Sequence, residues 1–261
     1  MQQIWAILFL SALVLHAQNN PPLTHAHSHN DYQQKRPLLD ALDRQFCSIE
    51  ADVHLTNGQL LVAHDLKDVL PERSLENLYL APLLKRVREN AGRVYRDGPP
   101  VVLLVDIKSE LGVTCAALQT QLSKYSEMLT KFSAGKIETN AVTVILTGRR
   151  SVELMSRETN RLAACDGLLS DLDSNLPSAL VPWISAEWRK SFVWLGDGAM
   201  PAEEKLRLRQ LVEKTHRQGR QLRFWGTPDR PEIWRELRSA QVDWIGADDL
   251  GGLEKFLRST E

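Results

Sequence analysis

Val101-Val102-Leu103-Leu104-Val105-Asp106-Ile107-Lys108 is an apolar run that ends in charge. A strand with one wet face alternates polar and apolar residues, whereas a strand covered by helices on both faces reads as continuously apolar. The run therefore predicts a central strand of a parallel α/β fold. In a parallel barrel the C-terminal strand ends carry the chemistry. Asp106 and Lys108, two residues apart and so on one face, fall at such an end. A carboxylate for a metal and an ammonium for an anionic substrate is one interpretation of them. A surface ion pair that caps a core strand is the other.

Working outward, strand-like and helix-like segments alternate along the chain, the pattern of a parallel α/β fold. Strands are predicted at residues 23–29, 48–55, 101–108, 141–147, 167–171, 183–186, 221–225 and 242–247. Helices are predicted at 37–44, 74–90, 114–132, 151–161, 201–218, 231–240 and 251–258. This count suits a single-domain (β/α)8 TIM barrel, although the link after Asp171 shows no helical pattern. An open doubly wound sheet is the competing fold, but no glycine-rich phosphate loop follows an early strand.

With 261 residues, 43% hydrophobic and 25% charged, the chain can bury a large core. Its formal net charge of −1 carries no basic footprint for nucleic acid or for a membrane surface. Residues 4–15 are apolar and are followed by small and polar residues around Ala17. That segment is short for a membrane span but suits a signal peptide over residues 1–17, although the leading residues lack Lys and Arg. The expected mature domain is 18–261, secreted or periplasmic, without integral membrane association. Three cysteines, Cys47, Cys115 and Cys165, allow one intramolecular disulfide at most, and their spacing fits no zinc site.

Ser48-Ile49-Glu50-Ala51-Asp52-Val53 places two carboxylates on one strand face. Crowded carboxylates repel unless a cation or a proton lies between them. Oxygen ligation suits a hard divalent cation, Mg²⁺ or Ca²⁺, while an exposed acidic strand face is the plainer alternative. Thr56-Asn57-Gly58-Gln59 reads as a tight hairpin turn whose return strand carries His64 back toward Asp52. His54 shares the face of Glu50 and Asp52 by alternation, and His216 reads as part of a solvated helix face. Trp225 is expected to wall a substrate pocket. Arg223 fits either a phosphate contact or a core ion pair. Asp248 and Asp249 either line the mouth or cap the following helix.

His27-Ser28-His29-Asn30-Asp31-Tyr32, Glu50-x-Asp52, His64-Asp65 and Asp106-x-Lys108 together resemble the glycerophosphodiester phosphodiesterase and phosphatidylinositol-phospholipase-C-like superfamily. Within it they resemble most an uncharacterised branch bearing the His-Ser-His-Asn-Asp-Tyr motif. The likeness extends through Arg223–Asp229 to Ala247–Leu250. It implies a divalent cation on Glu50, Asp52 and Asp106, His27 and His64 as acid and base, and Lys108 on the substrate phosphate. The superfamily usually carries His-Arg-Gly on the first strand, whereas this chain has His27-Ser28-His29. The spacing of His27 and Asn30 is closer to sphingomyelinase D. His29 and Asn30 are therefore expected to contact substrate.

The expected function is metal-dependent cleavage of a small phosphodiester or phospholipid headgroup, with water or a substrate hydroxyl as nucleophile. Two other functions fit parts of the sequence. An amidohydrolase-like site begins with a His-x-His pair but needs further histidines from later strands, and only His216 follows His64. A secreted barrel that binds without turnover keeps the same polar residues.

Overall fold

The computed structural model describes residues 20–133, 136–149 and 152–259, so the N-terminal apolar segment lies outside the described residues. The Val101–Ile107 run forms a strand buried over nearly its whole length, as expected for a strand covered on both faces. It pairs in parallel with Phe46–Thr56 on one side and with Val142–Gly148 on the other. Parallel pairing then continues through Ala163–Gly167, Trp183–Glu187, Gln221–Trp225 and Trp244–Ala247. The first strand, Leu23–Ser28, pairs with both the second and the last. The sheet thus closes into an eight-stranded parallel barrel surrounded by helices, the (β/α)8 architecture.

The register places the polar residues. Asp52 lies opposite Asp106, and Asp106 opposite Thr147. His27 lies between Ser48 and Gly246, and Arg223 between Ser185 and Trp244. These side chains enter the barrel from near the C-terminal ends of their strands, where a helix-wrapped barrel presents its loops.

The predicted hairpin is present. Thr56 pairs with Gln59, and Val53 with Val62. Asn57 and Gly58 take φ values of 51° and 77°, the two positive values that a type I′ turn requires. The antiparallel strand Gln59–Val62 extends the sheet outside the closed barrel.

Three elements differ from expectation. The fifth strand is Ala163–Gly167, and most of the segment read as strand, 167–171, falls in a 3₁₀ turn, Leu169–Asp173. Alanine is a weak strand former, so Ala163-Ala164 carried little local signal while the Leu168-Leu169 pair drew the reading onward. The third long helix stops at Ser123, because Lys131–Ser133 joins Lys136–Glu138 and Asn160–Arg161 in a small antiparallel sheet. That sheet also leaves the next helix only Val152–Ser156. Cys47, Cys115 and Cys165 are buried core residues. Among the described residues no helix is long and apolar enough to cross a membrane.

Candidate active site

The central observation is a group of three acids. Glu50, Asp52 and Asp106 each offer an oxygen within 4.8 Å of the others. Glu50 and Asp52 are buried and Asp106 nearly so. Lys108 lies at the edge of the group, its ammonium 3.1 Å from Asp52 Oδ2 and 2.7 Å from Asp106 Oδ2. The same-named oxygens are therefore occupied on both aspartates. The other two, Asp52 Oδ1 and Asp106 Oδ1, are buried without a hydrogen-bond partner. Buried carboxylate oxygens are rarely left in this condition. Gly148 keeps the space beside one of them open: a Cβ there would fall 1.9 Å from Asp106 Oδ1, and its φ of +80° disfavours a side chain in any case. The donor set is all oxygen and two of its atoms are without a hydrogen-bond partner, so these residues fit a hard divalent cation such as Mg²⁺ or Ca²⁺.

Electrostatics separate the three acids. Asp52 is pushed up to about 6, first by burial and then by the charge on Asp106, with Lys108 opposing. Burial would also raise Glu50, but the Arg223 guanidinium and the His27 hydrogen bond outweigh it and hold Glu50 well below the usual carboxylate range. Arg223 donates to Glu50 Oε2 at 2.9 Å with both groups buried. Arg223 thus makes a core ion pair and also lines the neighbouring cavity.

His27 is completely buried. Its Nδ1 lies 2.7 Å from Ser48 Oγ and its Nε2 3.0 Å from Glu50 Oε2, so both ring nitrogens are engaged. Burial, followed by Arg223, lowers its pKa to about 4, leaving a neutral imidazole. His64 presents the opposite environment. The hairpin returns it beside Asp52, where Ala63 N–H donates to the Asp52 carbonyl at 3.2 Å, yet its side chain is 58% exposed and contacts Asp65 at 3.1 Å. His54 does share the return path, but as a brace: its Nε2 donates to the His64 carbonyl at 3.1 Å.

His29 meets Asp248, with Nδ1 2.8 Å from Oδ1. Asn30 Nδ2 is 3.2 Å from the same His29 nitrogen, and Asn30 Oδ1 accepts from the Tyr32 hydroxyl at 2.7 Å. That hydroxyl also lies 2.8 Å from Asp52 Oδ2. The motif thus forms a polar chain from the mouth to the acids. Burial acts to lower the His29 pKa, but the Asp248 hydrogen bond and nearby acids prevail and raise it. Beside His27 and His29 opens a cavity of about 220 Å³, lined also by Arg189, Arg223, Trp225 and Asp248. Trp225 is 42% exposed there.

Three contributors escape the sequence reading, and a fourth, Asp248, has two readings there. Ser48 and Tyr32 lay inside quoted segments without an assigned contact. Asp166 is half-buried in the barrel, accepts from Thr147 Oγ1 at 2.8 Å and is pushed up to about 7 by burial; its strand is read too far along the chain, which hides it. Asp248 was left between mouth and helix cap. The structure gives the cap to Asp249, which accepts from Gly252 N–H at 2.9 Å, and gives Asp248 to His29.

Known proteins resemble this chain in sequence and in fold. Residues 18–166 match the profile of the AIM6-like phosphodiesterase domain. Altered inheritance of mitochondria protein 6 from Eremothecium gossypii is 29% identical over 94% of this chain and 72% of its own length. A homolog of that protein from Arthroderma benhamiae is 27% identical over 88% of this chain and 82% of its own length. Among solved structures, a glycerophosphodiester phosphodiesterase from Parabacteroides distasonis superposes with a TM-score of 0.54 at 16% identity, covering 92% of this chain and 99% of that one. Another from Agrobacterium tumefaciens gives 0.53 at 16% identity, with 91% and 100% covered. These two likenesses concern the fold.

Proposed function

We propose, since the chain belongs to the AIM6-like phosphodiesterase domain family, that it cleaves a phosphodiester with the help of one divalent cation held by Glu50, Asp52 and Asp106. The observation that carries this reading is the pair of orphaned, buried oxygens, Asp52 Oδ1 and Asp106 Oδ1, within a cluster of three acids. Two buried acceptors with no donor are costly in a chain that merely folds; they are useful in one that takes up a cation. Among the described residues this cluster contains no histidine, which weighs against the amidohydrolase-like alternative.

A bound cation would supply Lewis-acid polarisation of the phosphoryl group and offset its charge. The remaining work falls to the chain. Lys108 bridges Asp52 and Asp106 and offers its ammonium to a phosphate oxygen at their edge. Arg223 fixes Glu50 and leaves the cavity wall cationic. His64, exposed on the hairpin, takes the nucleophile's proton, and neutral His27, engaged by Ser48 and Glu50, keeps Glu50 in place on the acid side. Trp225 and Asn30 shape the space for the headgroup, which belongs to a small diester or a phospholipid. Export of the mature domain 18–261 after removal of residues 1–17 is part of this proposal.

The test is turnover of a panel of glycerophosphodiesters and phospholipids by the purified protein, with His27→Ala and His64→Ala in parallel. The expected outcome is a bell-shaped pH profile, loss of activity in EDTA and recovery with Mg²⁺ or Ca²⁺. Full activity after exhaustive chelation defeats the metal role. Equal, negligible turnover in all three proteins favours a barrel that only binds.

A further inference from the structure

We infer that His29, oriented by Asp248, is a further catalytic residue that protonates the leaving alkoxide from the cavity side. The inference rests on the phosphodiesterase reading and adds to it a proton donor separate from the acids.

The argument begins with what each histidine of the motif region has free. His27 has neither ring nitrogen free, since Ser48 and Glu50 occupy them. His64 is open to solvent, and its contact is with Asp65, beside the acids rather than in the cavity. His29 lines the cavity, its Nδ1 is held by Asp248, and its Nε2 has no hydrogen-bond partner among the described residues. A carboxylate on one imidazole nitrogen fixes the ring and its tautomer and supports the charged form, which leaves the other nitrogen to act on substrate.

The partner is itself held in place. Asp229 Oδ2 accepts from the backbone N–H groups of Asp248 and Asp249 at 2.9 and 2.7 Å. Gln34 Nε2 donates to the Asp248 carbonyl at 2.9 Å. On the other flank, His29 N–H donates to the Ala247 carbonyl at 3.2 Å, joining the first and last barrel strands at the dyad. An Asp248 side chain serving only solubility needs no such bracing. Asp229 Oδ2 spends its hydrogen-bonding capacity on the backbone that presents Asp248.

The step balances as follows. The nucleophile oxygen bonds to phosphorus and gives its proton to His64. The ester P–O bond breaks with its electron pair going to the leaving oxygen, and the Nε2–H proton of His29 moves onto that oxygen. Neutral His29 then regains a proton from water, and protonated His64 releases its proton to water.

General-acid help matters in proportion to the basicity of the leaving group. The experiment therefore compares a dialkyl phosphodiester with a p-nitrophenyl alkyl phosphodiester, whose phenolate leaves without a proton, in wild type, His29→Ala, His29→Gln, Asp248→Asn and His64→Ala, all with divalent cation present. His29→Ala and His29→Gln are expected to lose about 10²–10⁴-fold on the alkyl substrate and to keep most of the nitrophenyl activity. Asp248→Asn should show the same selectivity at smaller size, and His64→Ala should lose both activities. Thermal unfolding of each variant separates misfolding from chemistry, and the glutamine variant serves where alanine does not fold. Equal losses on the two substrates, or none on either, overturn the role of His29 while leaving the phosphodiesterase reading intact. No turnover of either substrate by the folded wild type overturns the phosphodiesterase reading and this inference together.

Discussion

Two buried aspartates, Asp31 and Asp52, enter the structure about twenty residues apart and have opposite fates. Burial is the largest influence on both and raises both. Asp31 is fully provided for: Ser28 Oγ donates to Oδ1 at 2.8 Å, and Tyr79 Oη and Leu38 N–H donate to Oδ2 at 3.0 and 2.5 Å. It fastens the turn at Leu38, a buried residue with φ 65° and ψ −51°, a conformation that a leucine adopts only when its surroundings impose it. Asp52 has Tyr32 and Lys108 on Oδ2 and nothing on Oδ1. A satisfied buried acid is a structural tie, whereas an unsatisfied one beside two more acids is a place for a ligand. Both lie in the motif-rich first quarter of the chain, so sequence proximity does not separate them.

The comparison is most strongly tested by removing each acid in turn. Asp52→Asn should lower turnover by about 10³-fold, on the scale of several kcal/mol of Lewis-acid assistance, while the cation-free protein stays as stable as wild type at neutral pH. Asp31→Ala should do the reverse. It strands three buried donors and releases the Leu38 turn, costing about 3 kcal/mol, while turnover per folded molecule is kept. Urea unfolding and active-site titration on the same samples measure both. A cation-free Asp52→Asn that unfolds as readily as Asp31→Ala removes the distinction between the two acids.

The barrel was legible in the sequence because its informative strands are buried on both faces. The run 101–107 and the alternation of elements required little else, and the Asn57-Gly58 turn announced the hairpin through its positive φ values. The acids were legible because strand alternation and strand ends fix which residues converge. What remained hidden depended on contacts far apart in sequence. Arg223 and Glu50 are 173 positions apart, and His29 and Asp248 are 219 apart; both pairs meet only because the barrel closes between its first and last strands. Asp166 stayed hidden for a local reason, the faint strand signal of two alanines. The small sheet built from 131–133, 136–138 and 160–161 escaped because strands of two or three residues carry no periodicity to read.

A gentler perturbation uses pH. The Asp52 pKa of about 6 lies above its ordinary 3.8. The stability it contributes is complete below 3.8 and is lost as pH rises through 6, since the folded chain then gives up a proton it held more tightly than the unfolded one. His27 acts oppositely: with about 4 in place of 6.5, its contribution is complete above 6.5 and is lost as pH falls toward 4. The two offset each other in the cation-free protein, so the informative quantity is the stabilisation that added cation produces. That increment should be small at pH 5, where a proton occupies Asp52, and reach about 2.7 kcal/mol at neutral pH when cation is present at 100 times its Kd. Melting curves with and without Mg²⁺ or Ca²⁺ across this range provide the check. An increment independent of pH, or equal in Asp52→Asn, would falsify the placement of the cation on this acid.

The smallest effect is expected where the two regions touch. Tyr32 follows Asp31 in the chain, and its carbonyl accepts from Arg73 at 2.6 Å, which holds its backbone beside the structural tie. Its hydroxyl, in contrast, reaches Asp52 Oδ2 and Asn30 Oδ1. Tyr32→Phe keeps the ring and the backbone contact and removes only the hydroxyl, so stability should fall by about 1 kcal/mol, the worth of an ordinary hydrogen bond. The hydroxyl lowers the Asp52 pKa, hence its loss should move the onset of cation stabilisation to higher pH and weaken cation binding by up to about tenfold. The Asp31 side of the molecule should not respond, because its donors are Ser28, Leu38 and Tyr79. If Tyr32→Phe instead costs as much stability as Asp31→Ala and leaves the pH of cation uptake unmoved, then the acid cluster and the structural tie are one cooperative unit, and the contrast between them is a matter of hydrogen-bond count alone.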